Sequence, residues 1–413
     1  MDSDGDGYYE ISNAGQLFWF SMHVDQGNTA ANAILTRTID LAPGYTFHAD
    51  GSVTYGGETV TEGWYEGWHP PIGSELAPYT GTFDGCGFTI RGLYINSNNL
   101  SGGDRSLFGC VGEDGIVQNL GVVNAYINTR GCVGGVVSKN FGTVRNCYYE
   151  GTIRCNGFIG GVVGDNGGTV TNCYHAGNII GTESHIGGVV GINNGTVTNC
   201  YNTGDISNSV SYDKRFIGGV VGQNTSGRVT NCYNTGIISH SISGSDSGVS
   251  IGGVVGYSFN GASVTNCYFD STKYVGNAVG TNEGTVDTRT SGMPSSQFTS
   301  GEVCYLLNDD QTSIVFHQTC GSGVPAFTGD TVYYGYISCA ASAEMVYTNN
   351  NGVAAEKPAH GNITYANKGS NHTWTCGICG DSGDIHYVAQ TISAHLFFVG
   401  LVYALTSKLK YFQ

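Results

Sequence analysis

A chain of 413 residues with 66 Gly, 7 Pro, 26 Tyr and 12% charged residues fits neither a collagen nor a disordered protein, since its glycines lack a three-residue period and 40% of its residues are hydrophobic. With 16 basic against 32 acidic residues the formal net charge is -16, which repels phosphate backbones and argues against nucleic acid as a partner. So much glycine with so little proline suits a fold that turns tightly every few residues.

The chain opens Met1-Asp2-Ser3-Asp4, without a basic and apolar leader pattern, and the expectation is an exported protein whose leader has been removed. Asp2, Asp4, Asp6 and Gly7 imitate the start of a calcium loop, but its twelfth position is Asn13 where a bidentate Glu is needed, so a solvated acidic terminus is expected. Asn13 to Val24 reads as a short amphipathic helix that buries Leu17, Phe18, Phe20 and Met22, with Gly27 beyond its end. The run from Ala33 to Leu41 alternates as a first strand. Residues 1–80 read as an N-terminal cap over a strand edge that would otherwise invite aggregation.

From about 81 to 290 one pattern recurs. GTVRNCYYEGTI, GTVTNCYHAGNI, GTVTNCYNTGDI, GRVTNCYNTGII and ASVTNCYFDST follow one another, and IGGVVG precedes four of them, from Ile159, Ile186, Ile217 and Ile251. A variant starts at Val133, and an eighth, degenerate copy runs from Val275 to Val286. In register, one column holds Ile90, Val117, Val144, Val170, Val197, Val229 and Val264, and another holds Leu93, Leu120, Cys147, Cys173, Cys200, Cys232 and Cys267. Each copy contains two or three β-branched runs of four to six residues between Gly and Asn turns, too short for helices. One copy cannot bury its own apolar face, but stacking copies about 4.8 Å apart pairs every strand with its equivalents and closes a core. The expectation is an all-β parallel β-helix of about eight coils, wound right-handed by the crossover preference.

The asparagine column (Asn119, Asn146, Asn172, Asn199, Asn231, Asn266) would stack its amides as a structural ladder. The cysteine column reads as core thiols, because Leu93 and Leu120 share it and Cys110 falls with Val162, Val189, Val220 and Val254. Disulfides between neighbouring coils, or a metal, stay open as alternatives. Past the repeats, Ser295 to Asn308 reads as one short helix followed by short strands, and 291–348 as a small C-terminal cap. In the tail, 349–413, Cys376 and Cys379 form a lone CxxC between His372 and His386, a weak zinc candidate. The apolar run Ala394 to Leu405, followed by Lys408 and Lys410, is 12 residues long where a spanning helix needs about 20, so no clear membrane span is expected.

At GGVVGxNxGTVTNCYNTGxI the chain resembles the GLUG-motif repeats of bacterial surface proteins that recur in gut anaerobes. The likeness covers roughly residues 8–335, with YYEISNAGQLFWFSMHV, GTFDGCGFTIRGLYI and SGEVCYLLN followed by FHQTCG as companion segments. The resemblance implies an exported or wall-attached protein with an adhesin-like role. No sorting or peptidase motif accompanies it, so attachment and catalysis are not carried over.

The leading functional expectation is a non-catalytic surface module that offers a lateral face to a glycan or a cell-surface protein, with no cofactor. Coils five and six carry insertions at one corner, 207–215 and 239–249, and loops on a rigid scaffold are where binding usually resides. They supply Tyr212, Asp213, Lys214, Arg215, His240 and Asp246 as candidate binding residues. The alternative is a polysaccharide lyase or glycoside hydrolase on the same fold, using Asp165, Asp205 and Asp213 with Arg215. A structural spacer is the third reading.

Overall fold

The computed structural model describes residues 4–60, 68, 70–97, 105–182, 185–208, 215–240, 248–309, 311–339, 342–348, 363–368, 371–376 and 382–386. The chain divides into two compact units, Met1–Gly292 and Met293–Gln413.

The first unit is a parallel β-solenoid. Short Thr-Val-Thr runs keep valine inward and threonine outward, and each pairs in parallel with its copy one coil away. They build a first sheet of ten strands, from Tyr8–Ile11 and Asn32–Leu35 through Thr82–Asp84 to Thr285–Val286. A second sheet has seven strands, from Phe108–Val111 to Val279–Asn282, and a third has 16. The chain passes from the first sheet to the third through an asparagine held at φ 50 to 54 in six successive coils. Asparagine tolerates this left-handed conformation better than most residues, which explains its recurrence there. The third sheet meets the second at paired glycines. A Cβ on Gly160, Gly187, Gly218 or Gly252 would lie 1.8 to 1.9 Å from a valine carbonyl oxygen, so only glycine fits. Inside runs one continuous core of Val, Ile and Cys, with Val144, Val170, Val197 and Val229 fully buried.

The N-terminal segment joins this core. Helix α1 (Ala14–Asp25) is capped by Asn13, whose side chain accepts from Gln16 N at 3.0 Å. It buries Leu17, Phe20, Ser21 and Val24, one face at helical spacing. Phe18, expected to be buried, lies off that face and is 49% exposed.

Two register assignments are corrected by the strand pairing. Val117 pairs with Phe83, whereas Ile90 pairs with Val122 in the third sheet. Leu93 therefore leaves the cysteine column: its carbonyl accepts from Tyr126 N, 2.9 Å away. The first coil has two apolar runs, and the turn through Cys86, at φ 50, follows the earlier one. Cys110 pairs with Lys139, so it stands in the file of Asp165 and not in that of Val162.

In the second unit the expected single helix is two, α2 (Ser295–Ser300) and α3 (Glu302–Asn308), because Gly301 at φ 99 interrupts them. Tyr333–Cys339 and Ser342–Thr348 form an antiparallel hairpin. Ile363–Lys368, Asn371–Cys376 and Ser382–His386 form a three-stranded antiparallel sheet. Among the described residues no helix is long and apolar enough to cross a membrane, which says nothing of a membrane β-barrel. The apolar run from Ala394 lies outside the described residues.

Candidate functional site

Because equivalent residues stack, the surface of the solenoid is a set of files, each with one side chain per coil. On the second sheet the file Lys139, Asp165, Ile192, Gln223, Tyr257 and Thr281 runs in register. At the end of the third sheet, just before the paired glycines, a parallel file holds Cys132, Phe158, His185, Phe216 and Ser250. The two files touch. Ser250 Oγ is 2.8 Å from Thr281 Oγ1, and the rings of Phe216 and Tyr257 lie 4.6 Å apart. Together they make one lateral face.

Its rings are offered to solvent in a particular way. Phe158 is 37% exposed, and Phe158–His185 and His185–Phe216 meet edge-on, at 4.9 Å with interplanar angles of 75° and 78°. Tyr257 and Phe259 extend the strip at 4.3 Å. An edge-to-face contact covers one face of one ring only, and Phe158, His185, Phe216 and Tyr257 all stay at least partly exposed. Elsewhere on the third sheet Tyr148, Tyr174, Tyr201 and Tyr233 stack nearly parallel at 4.8 to 4.9 Å, so each face is taken by the next ring. That file is structural.

Polar groups sit along the same strip. Partial burial raises the carboxyl pKa of Asp165 while Lys139 works against the rise, and Lys139 is ion-paired with Glu75. Burial lowers the pKa of His185, opposed by its hydrogen bond with Gln223. Tyr257 donates to Glu283, which raises the phenol pKa. The face therefore combines open rings with hydrogen-bonding groups at one level per coil. Among the described residues no cluster of His, Cys, Asp or Glu suits a metal ion.

The residues singled out from sequence fall as follows. Arg215 is 1% exposed and donates through Nη1 to Asn208 Oδ1 at 2.9 Å, while its Nε and Nη2 have no partner among the described residues. His240 is exposed and pairs in register with Asn208, so Arg215 and His240 share one corner. Tyr212, Asp213, Lys214 and Asp246 lie outside the described residues, as do Asp2 and Cys379. Cys376 ends a strand of the second unit. Asp165 is on the second sheet and Asp205 on the third, so those two carboxylates do not pair.

Asn146, Asn172 and Asn199 each donate Nδ2 to the preceding amide oxygen, at 2.8, 3.1 and 3.3 Å, and Asn266 donates to Asn231 at 2.9 Å. Asn199 Oδ1 has no partner among the described residues, so the relay between these asparagines is interrupted there. Cys147, Cys173, Cys200, Cys232 and Cys267 are fully buried thiols. Burial pushes the thiols of Cys147, Cys200 and Cys267 up and keeps them protonated. Two buried files escaped the sequence reading. Asn140, Asn166, Asn193 and Asn224 pass amide hydrogen bonds of 2.8 to 2.9 Å from coil to coil. His175, Asn202 and Asn234 do the same at 2.8 Å. The aromatic strip was missed as well, although the residue before three of the four Ile-Gly-Gly blocks spells it: Phe158, His185, Phe216.

Residues 182–207, 217–239 and 247–272 match the GLUG motif. The chain carries GLUG repeats. Each matched GLUG segment takes in the asparagine turn that links the first and third sheets. The chain is also 36% identical over 87 residues to a protein of Evansella cellulosilytica named as a Gly-rich membrane protein, and 31% identical over 101 residues to halomucin of Haloquadratum walsbyi. Those stretches are 20% and 23% of this chain but only 10% and 1% of the two relatives.

Proposed function

We propose that this GLUG-repeat chain is a cell-surface or secreted module, adhesin-like, that holds an extended glycan along the paired files of Phe158–His185–Phe216 and Asp165–Gln223–Tyr257. The observation that carries the reading is the edge-on aromatic strip flanked by hydrogen-bonding groups, repeated at the spacing of successive coils. That spacing, about 4.8 Å in a sheet, is close to the length of one hexose unit, so a sugar chain laid along the solenoid meets a similar surface at each step. Apolar sugar faces suit open rings, and hydroxyls suit the amide, carboxylate and phenol groups beside them. The names of the two relatives, a membrane protein and a halomucin, agree with a surface location. Tyr212, Asp213 and Lys214 precede Arg215 in the chain, and Asp246 precedes Val249, so both loops are proposed to extend the face at the Arg215 corner.

A glycan array probed with wild-type protein and with Phe216→Ala/Tyr257→Ala tests this. Each lost ring should weaken capture of the retained glycan by about tenfold, equivalent to about 1.4 kcal/mol. Far-UV circular dichroism should be unchanged. Undiminished capture by the double variant rejects the face. Absence of any capture by wild type favours a spacer, and new reducing or unsaturated ends in the bound polymer favour an enzyme.

A further inference from the structure

Cysteine chemistry in the second unit differs from that of the solenoid core. Cys304 lies in the first turn of α3 and is fully buried, and Cys320 is half-buried. The segment around Cys320 is pinned to the approach to α3: Gly321 N donates to Thr299 O at 2.7 Å, and Gln318 Nε2 donates to Phe298 O. Cys320 Sγ is packed so closely on Gly301 that a Cβ there would lie 2.7 Å from the sulfur. Gly301 directly precedes α3, so Cys320 stands at the end of the helix that carries Cys304. Both are thiols in this structure. Each core cysteine of the solenoid, by contrast, is closed off from solvent.

We propose that Cys304 and Cys320 are a cross-linking site, joined as a disulfide when a disulfide oxidant such as oxidised glutathione is present. The Cys320 thiolate attacks the oxidant and releases one glutathione thiol. The Cys304 thiolate then attacks the mixed disulfide at Cys320, and the second glutathione thiol leaves. Two protein thiols lose two electrons and two protons, and one glutathione disulfide becomes two thiols. Burial and the nearby Asp330 carboxylate push the Cys320 thiol up to about 11, and burial together with Cys320 pushes Cys304 higher still. The exchange is therefore slow near neutrality and accelerates by about tenfold per pH unit as thiolate forms. A bridge here closes a loop between α3 and the segment that packs against it, which favours the folded unit. The inference rests on the surface reading only for the oxidising compartment in which it would operate.

The test uses the full chain, incubated at pH 8.5 with oxidised glutathione, digested without reduction and mapped by mass spectrometry. The expected product links the Cys304 and Cys320 peptides with the loss of two hydrogen atoms, and a thiol reductant reverses it. Cys304→Ser should instead leave a glutathione adduct on Cys320. Wild type should melt roughly 5 °C or more higher when oxidised, and Cys320→Ser should show no redox-dependent shift. A persistent glutathione adduct on wild-type Cys320, or two unmodified thiols after prolonged incubation, overturns the proposal. Neither outcome bears on glycan capture, so this inference and the binding face stand or fall apart.

Discussion

A turn residue at φ near +50 must tolerate a conformation that costs most L-residues roughly 1–2 kcal/mol. Asn172, at φ 53, does so while donating to Asn146 and accepting from Asn199. Backbone and side-chain effects can be separated there. Asn172→Ala should destabilise by about 2 kcal/mol, combining the φ penalty with the lost amide bonds. Asn172→Gly relieves the φ penalty and should cost only about 1 kcal/mol. Urea unfolding midpoints for the two variants decide the point, and equal losses would mean that the amide relay alone stabilises the turn.

An element of this solenoid is a file, and a file tolerates only what its neighbours tolerate. His175 replaces asparagine in one buried file: its Nδ1 lies 2.8 Å from Asn202 Oδ1, and Gly177 N donates to its Nε2 at 3.2 Å. Those partners fix a neutral ring, and burial lowers its pKa from 6.5 to about 4. Below pH 6.5 the unfolded chain takes up a proton that the folded chain refuses until about pH 4. Stability from this group is thus full above 6.5 and falls through that window, by roughly 3 kcal/mol in all. His175→Asn restores the residue type of Asn202 and Asn234 and should remove this fall. The difference between wild type and variant in urea midpoints at pH 7.5 and pH 4.5 isolates it from the carboxylates, and an unchanged difference would refute the assignment. The same logic explains what the sequence made legible. Val-x-Asn recurs in every coil from Val117 to Val264, followed by Cys in five of the six, because sheet, turn and core each constrain a position, so the stacking of these valines is legible directly. The first coil lacks that block and has two apolar runs, so its sequence offers Ile90 as readily as Phe83 for the position that Phe83 occupies. The aromatic face is written less plainly, because the file just before the paired glycines changes from Phe to His to Phe to Ser.

Interchangeable coils are the property of the whole solenoid that local contacts alone do not guarantee. Val170 and Val197 occupy the same position one coil apart, as do Val163 and Val190, and Phe158 and His185. Deleting residues 170–196 joins Thr169 to Val197 and removes one full turn. After the deletion Cys147 would meet Cys200, Tyr149 would meet Asn202, and Phe158 would meet Phe216, so each surviving residue finds a partner of a kind already used in its file. Solenoid stability is close to a sum of coil and interface terms, so the shortened chain should fold cooperatively, with lower stability and a length reduced by about 4.8 Å. It should bind the array-selected glycan more weakly, having lost His185 from the strip. Deleting only residues 170–182 shifts every later file onto the wrong face and should abolish folding. Circular dichroism melts and small-angle scattering of the two deletions give the answer: if the 27-residue deletion collapses as the 13-residue one does, the coils are not equivalent units, and a ligand face built by repetition loses its foundation.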